Sequence, residues 1–259
     1  ALTGIAATLW QAELAKAQAL RADAARRVLS ELFQAADPQA MDGRALTARE
    51  LVDQGAARLR DDTSIDNDLR ASLLTDLGVV YHSLGELKQA RALFDDIATM
   101  PGLAEETLRR ALKEQARVLI IDSDYAGAER VAERLDGVLA TLPNRDPSRI
   151  EALLLRAEID FEQRRIDQVI AAVEPLLSHW PGGRERLQLR ADARYLLAEA
   201  RSDQRQYEAA LILLRDALAD YEASDANAST LTSTRHEIAR TLGALNRFDE
   251  ALPAFQRAL

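Results

Sequence analysis

Small residues recur in this chain at a fixed interval, and that interval limits what it can fold into. Ala128, Val169, Ala210 and Ala251 stand 41 residues apart, and Ala90 precedes the first of them by 38. Three residues before each of the four comes a large one: Tyr125, Ile166, Tyr207 and Phe248. A second set, Ala116, Ala157, Ala198 and Ala239, keeps the same 41-residue step. Such self-similarity marks a repeat array, in which one unit cannot bury its apolar face alone and about three or more must stack to make a continuous core. Ala, Leu, Arg and Glu dominate, Gly (11) and Pro (7) are sparse, and no long stretch alternates with period two, so the repeating unit is helical.

The best-formed unit is LTDLGVVYHSLGELKQARALFDDIATMP, Leu74 to Pro101. Its order of Leu74, Leu77-Gly78, Tyr81, Ala90, Phe94 and Pro101 resembles the tetratricopeptide (TPR) repeat, a pair of antiparallel helices. Gly78 and Ala90 are small where the two helices press together; Tyr81 and Phe94 fill the space beside them. The resemblance implies an all-α fold, a TPR-like right-handed superhelical solenoid of antiparallel helix pairs preceded by a long N-terminal helix. The later period exceeds the 34 residues usual for the repeat by about two helical turns, which keeps the same faces in register.

The expected divisions follow. Residues 1–36 form a long juxtamembrane helix, with Leu14, Leu20, Ala24, Val28, Leu32 and Phe33 on one stripe. Residues 1–10, ALTGIAATLW, carry no charge. They are either the end of a transmembrane helix with Trp10 at the interface or the buried start of a soluble one; ten residues cannot span a bilayer. Residues 37–70 hold a loop and a degenerate first repeat helix, opened by the capping box Thr47-x-x-Glu50. Five repeats occupy 71–103, 104–142, 147–181, 184–224 and 229–259, separated by loops at 100–103, 142–149, 180–183 and 223–230 that carry the helix-breaking and capping residues.

Catalytic chemistry finds no support. The net charge of −9 lacks the basic footprint of a nucleic-acid binder. The absence of Cys excludes disulfides and thiolate chemistry. His82, His179 and His236 lie in separate repeats without metal-ligand spacing, and Pro181-Gly182-Gly183 lacks the Lys-Ser/Thr of a phosphate loop. No cofactor, no metal and no catalytic residue is expected, so this stretch of chain is not itself an enzyme.

Binding is the remaining class. In the TPR arrangement the first helix of each pair lines a concave surface. Repeat alignment places there Arg110, Lys113 and Arg117; then Leu154, Glu158, Phe161 and Glu162; then Asp192, Tyr195 and Glu199; then His236 and Arg240. A basic ridge, an aromatic–acidic patch and a weakly basic end suit a protein or peptide ligand, with Phe161 and Tyr195 as anchors. The competing reading has both rings filling gaps between neighbouring helices.

A second resemblance rests on residues 32–59, LFQAADPQAMDGRALTARELVDQGAARL. They are similar to the segment after the membrane span in a group of bacterial eukaryotic-like transmembrane serine/threonine kinases, which also carry TPR arrays. ALTGIAATLW followed by QAELAKAQALRADAARRV resembles the span exit and juxtamembrane helix of that group. The resemblance implies a C-terminal sensor region on the periplasmic, extracytoplasmic side of a bacterial inner membrane. Its parent would be an ATP-dependent serine/threonine kinase, with a homodimer contact through the N-terminal helix. A soluble, cytoplasmic TPR scaffold or adaptor without a kinase is the alternative.

Overall fold

The computed structural model describes residues 47–143, 146–183 and 186–256, and every regular element among them is helical. The order is α1 (Ala48–Asp61), α2 (Asn67–Ser83), α3 (Leu87–Ala98), α4 (Glu105–Ile121), α5 (Tyr125–Val138), α6 (Pro147–Glu162), α7 (Ile166–Ser178), α8 (Leu187–Asp203), α9 (Tyr207–Ala223), α10 (Ala228–Ala244) and α11 (Phe248–Gln256), with a 3-10 turn at Leu139–Thr141. The expected N-terminal helix, its candidate membrane stub, its dimer contact and the loop at 37–46 lie outside the described residues. Within the described residues no helix is long and apolar enough to cross a membrane. The chain divides into two compact units between Asp122 and Ser123.

In the first unit α2 packs against α1, α3 and α4, and α3 packs against α4. Leu59, Leu74, Leu93, Phe94 and Ile97 form its core, each 1% exposed or less. The tip of the Phe94 ring abuts Gly78: a Cβ added there would sit 2.6 Å from the Phe94 Cζ. Gly78 is therefore required by the close approach of the helices. Thr47 caps α1 as a true box, its Oγ1 accepting from the Glu50 amide at 3.2 Å while the Thr47 amide donates to Glu50 Oε2 at 2.9 Å. The Tyr81 hydroxyl donates to Asp53 Oδ1 at 2.6 Å and ties α1 to α2.

In the second unit each helix from α5 to α11 packs on the next, and α6 also meets α8. Two main clusters result. One joins Ile150, Leu154, Ala157, Val169 and Val173 to Ala193, Leu196, Leu197 and Ala200. The other joins Ala198, Ala210, Leu211 and Leu214 to Ile238, Ala239, Leu242 and Ala251. The α8–α9 pair is further locked by Asp220, which accepts two bonds from Arg190 at 2.7 and 2.6 Å and a third from Arg194. A buried carboxylate needs such partners, and here they are charge-assisted and bidentate. The last inter-pair connection is shorter than its composition suggested. Asn227 accepts from the Thr230 amide at 2.9 Å as N-cap, so α10 begins at Ala228 inside the expected 223–230 loop.

The turns that follow α2, α4, α6, α8 and α10 obey a second periodicity. Gly85, Ser123, Arg164, Arg205 and Asn246 all have φ between 60° and 77°. They keep the 38- and 41-residue steps. At four of them the hydrogen bonding is that of a Schellman cap. Glu86, Arg165, Gln206 and Arg247 donate to the carbonyls of Tyr81, Asp160, Arg201 and Leu242, five residues back. The left-handed conformation costs a side chain about 1 kcal/mol, and glycine avoids it. Arg164 offsets the strain by pairing with Asp203 at 2.7 Å. Arg205 makes no such pairing with a described residue, and Ala244 stands where the equivalent acid would be. Arg205→Gly is therefore expected to raise the unfolding free energy by about 0.5 kcal/mol or more, net of the extra freedom glycine gives the unfolded chain. Arg164→Gly is expected to gain less. Urea denaturation of both variants reads this out, and a destabilised Arg205→Gly would remove the strain argument.

Candidate functional site

The 41-residue register puts side chains at equivalent places on α6, α8 and α10. One series is Leu154, Tyr195 and His236; one turn on, a second is Glu158, Glu199 and Arg240. Leu154 is not available to a ligand: it is 4% exposed and belongs to the core between α6 and α8. Phe161 is half-buried and packs on the same cluster. Tyr195 is half-buried too, with its ring against the second cluster. His236 is exposed and makes an edge-on contact with Phe255, ring centroids 5.3 Å apart.

Electrostatics concentrate at Glu199. It is half-buried and makes no hydrogen bond to another described residue. Burial is the largest cause that pushes its carboxyl up, to about 7, and the negative charges of Glu237, Glu162 and Glu158 add to it while Arg240 opposes. Burial also raises the Tyr195 hydroxyl, reinforced by Glu199 and Glu237. Arg240 is spent on Glu237, donating to its carboxylate at 2.9 and 3.1 Å through Nε. Glu237 is 8% exposed, and sequence reasoning missed it; its position matches core Leu196 one repeat earlier, so no surface pattern betrays it. Glu162 is exposed and Asp192 accepts the Tyr221 hydroxyl at 2.7 Å.

The predicted basic ridge belongs to the first unit. Arg110 pairs with Asp76 at 2.5 Å and Arg117 with Glu114 at 3.2 Å, while Lys113 is half-buried. The ridge is thus largely neutralised by its own neighbours. No group of His, Cys, Asp and Glu among the described residues is arranged to hold a metal.

The architecture is that of a TPR-like helical repeat protein. The tetratricopeptide repeat profile matches residues 70–100 and 231–259. Among solved structures, the chain is similar to a Rap protein complexed with competence and sporulation factor (TM-score 0.67, 12% identity, 81% of this chain and 57% of that one). It is also similar to BtubC (BKLC) from P. vanneervenii (TM-score 0.60, 14% identity, 82% and 90%). A third is a putative kinesin light chain from Podosopora anserina (TM-score 0.55, 18% identity, 75% and 95%). The chain spans little more than half the length of the Rap chain. No curated protein sequence matches it. At these identities the likeness is one of fold.

Glu199 gives a pH signature. Below its unfolded value of 4.5 both states hold the proton and ionisation costs nothing. Between 4.5 and about 7 the unfolded chain has released the proton while the folded one retains it, so stability falls as pH rises; above 7 the loss is complete. Glu199→Gln is expected to differ little from the parent near pH 5 and to be more stable by up to roughly 3 kcal/mol near pH 8. Denaturation midpoints at the two pH values measure this; a gain that is equal at both would mean that Glu199 ionises normally.

Proposed function

We propose that this chain is a peptide- or protein-binding repeat domain, and that the face formed by α6, α8 and α10 in the second unit receives the partner. One observation carries the reading: apart from core Leu154, the equivalent register positions of this face hold the polar side chains Glu158, Tyr195, Glu199, His236 and Arg240. Glu199 in particular is kept half-buried at a cost, without a hydrogen bond to a described residue. Retained electrostatic strain of this kind points toward use. The likeness to a Rap chain, itself complexed with competence and sporulation factor, supports the reading at the level of fold. A random-peptide display library selected on the 259-residue chain is expected to yield binders whose affinity falls about tenfold when Glu158 and His236 are both changed to Ala, with far-UV circular dichroism unchanged. A library that yields no binder, or binders indifferent to both changes, refutes it.

We further propose that the domain is the extracytoplasmic sensor of a membrane-anchored bacterial serine/threonine kinase. Residues 32–59 and their likeness to the membrane-proximal segment of that group support this, with partner binding biasing kinase output by favouring one of two signalling states. The parent gene is expected to encode a kinase domain and one membrane span upstream of Ala1. A phosphatase reporter fused after Leu259 is expected to be active only outside the cytoplasm. A parent with neither element, or a reporter inactive there, would leave the soluble adaptor.

A further inference from the structure

A cleft of about 260 Å³ opens between α8, α9 and α10, next to the face just described. Its lining is Tyr195, Tyr221, Ser229, Thr230, Ser233 and Thr234, and every one of these side chains ends in a hydroxyl. Stepping back 41 residues gives the equivalent place one repeat earlier. There the six positions hold Leu154, Trp180, Gln188, Leu189, Asp192 and Ala193. Leu154 and Ala193 are core residues, and Trp180 and Leu189 pack against them. Four of the six are apolar and fill this place, beside the polar Gln188 and Asp192. In the last repeat the filling has been exchanged for hydroxyls, and a cleft stands open.

The hydroxyls are not equivalent in what they can offer. Tyr221 donates to Asp192 at 2.7 Å, Thr230 to Asn227 at 3.2 Å and Thr234 to the Thr230 carbonyl at 2.8 Å. Each has its proton engaged and can present only lone pairs to a ligand. Tyr195, Ser229 and Ser233 make no hydrogen bond to another described residue, so each can donate as well as accept. The lining carries no formal charge of its own. It combines fixed acceptors with free donors in a space that holds a polar side chain and part of its backbone.

We propose that this cleft binds the side-chain carboxamide of an Asn or Gln in the bound peptide, which rests on the peptide-binding reading above. A carboxamide matches both halves of the lining: its NH2 donates to the engaged hydroxyls, and its oxygen accepts from the free ones. A cation would be drawn instead to Glu199 and Glu158, and an apolar side chain would cover Tyr195, Ser229 and Ser233 and leave those hydroxyls without a partner.

The probe is the set of peptides selected from the display library on the full chain. The expected result is one position confined to Asn or Gln, and an approximately tenfold loss when that residue is replaced by Leu, the order expected for one or two lost hydrogen bonds. The variant Tyr195→Phe/Ser229→Ala/Ser233→Ala keeps every ring and the helix and removes the free donors. It is expected to bind the Gln or Asn peptide about tenfold more weakly and the Leu-substituted peptide unchanged. Peptides that bind this variant and the parent equally overturn the cleft while leaving the peptide-binding function standing. Confinement of the same position to Lys or Arg also overturns it. Failure to select any peptide overturns both.

Discussion

Everything in this fold depends on how closely the two helices of a pair, and successive pairs, can approach. Ala90, Ala116, Ala128, Ala198, Ala210 and Ala239 are fully buried, and Ala157 and Ala251 nearly so. At Gly78 even a methyl group is too large, because the Phe94 ring occupies its place. Small side chains bring the helix surfaces within contact, and dispersion over the matched surfaces then holds them. The same requirement sets the sequence interval: a small residue must return to the contact once per repeat. That is why the alanine spacing and the helix pairing are one fact seen at two levels.

Close approach alone does not fix the angle at which the chain re-enters the next helix. The turns do that. Within each unit, a left-handed residue at Gly85, Arg164, Arg205 and Asn246 reverses the chain in the fewest residues, and the amide after each of them reaches back to close the first helix's last carbonyls. Gly and Asn meet this demand easily, whereas arginine does not. The long-range ion pairs then differ from repeat to repeat: Arg60–Asp96 in the first unit, Arg165–Glu129 and Arg201–Glu174 in the second. Most are exposed at one or both partners and contribute modestly. They select partners among helices that packing has already brought together.

How much of this the sequence discloses follows from what each level depends on. The helix pairs, the capping box at Thr47 and the roles of Gly78 and Phe94 are legible because they rest on local spacing. Leu154 was misplaced as a surface residue because register alone cannot tell a ridge that faces a neighbouring helix from one that faces solvent. Glu237 was missed for the same reason in reverse, since an acid at a core register looks like a surface residue until Arg240 is seen beside it. The hydroxyl cleft was hidden by its own composition. The loop expected at 223–230, ASDANAST, takes in Ala228, Ser229 and Thr230, yet Asn227 caps them and they are the first residues of α10. A run of Ser and Thr that keeps the 41-residue register was the available signal.

The last three pairs show how side-chain chemistry varies on a constant repeat scaffold. Backbone frame and small-residue contacts are the same from one pair to the next, while the chemistry at fixed positions drifts: Leu154 to Tyr195 to His236, Glu158 to Glu199 to Arg240, Trp180 to Tyr221, Leu189 to Thr230. Each series ends on a polar group, and several of these groups carry a cost. Glu199 is held against its own ionisation, and Glu237 is buried and depends on Arg240 for compensation. The array can bear such costs because each repeat is also held by its neighbours through the buried alanine contacts, which these exchanges leave in place. A single compact core of the same size would have to accommodate each change among all its other side chains. In a repeat fold the alanine contacts hold the frame, and the remaining positions of the first helices are free to vary toward a ligand.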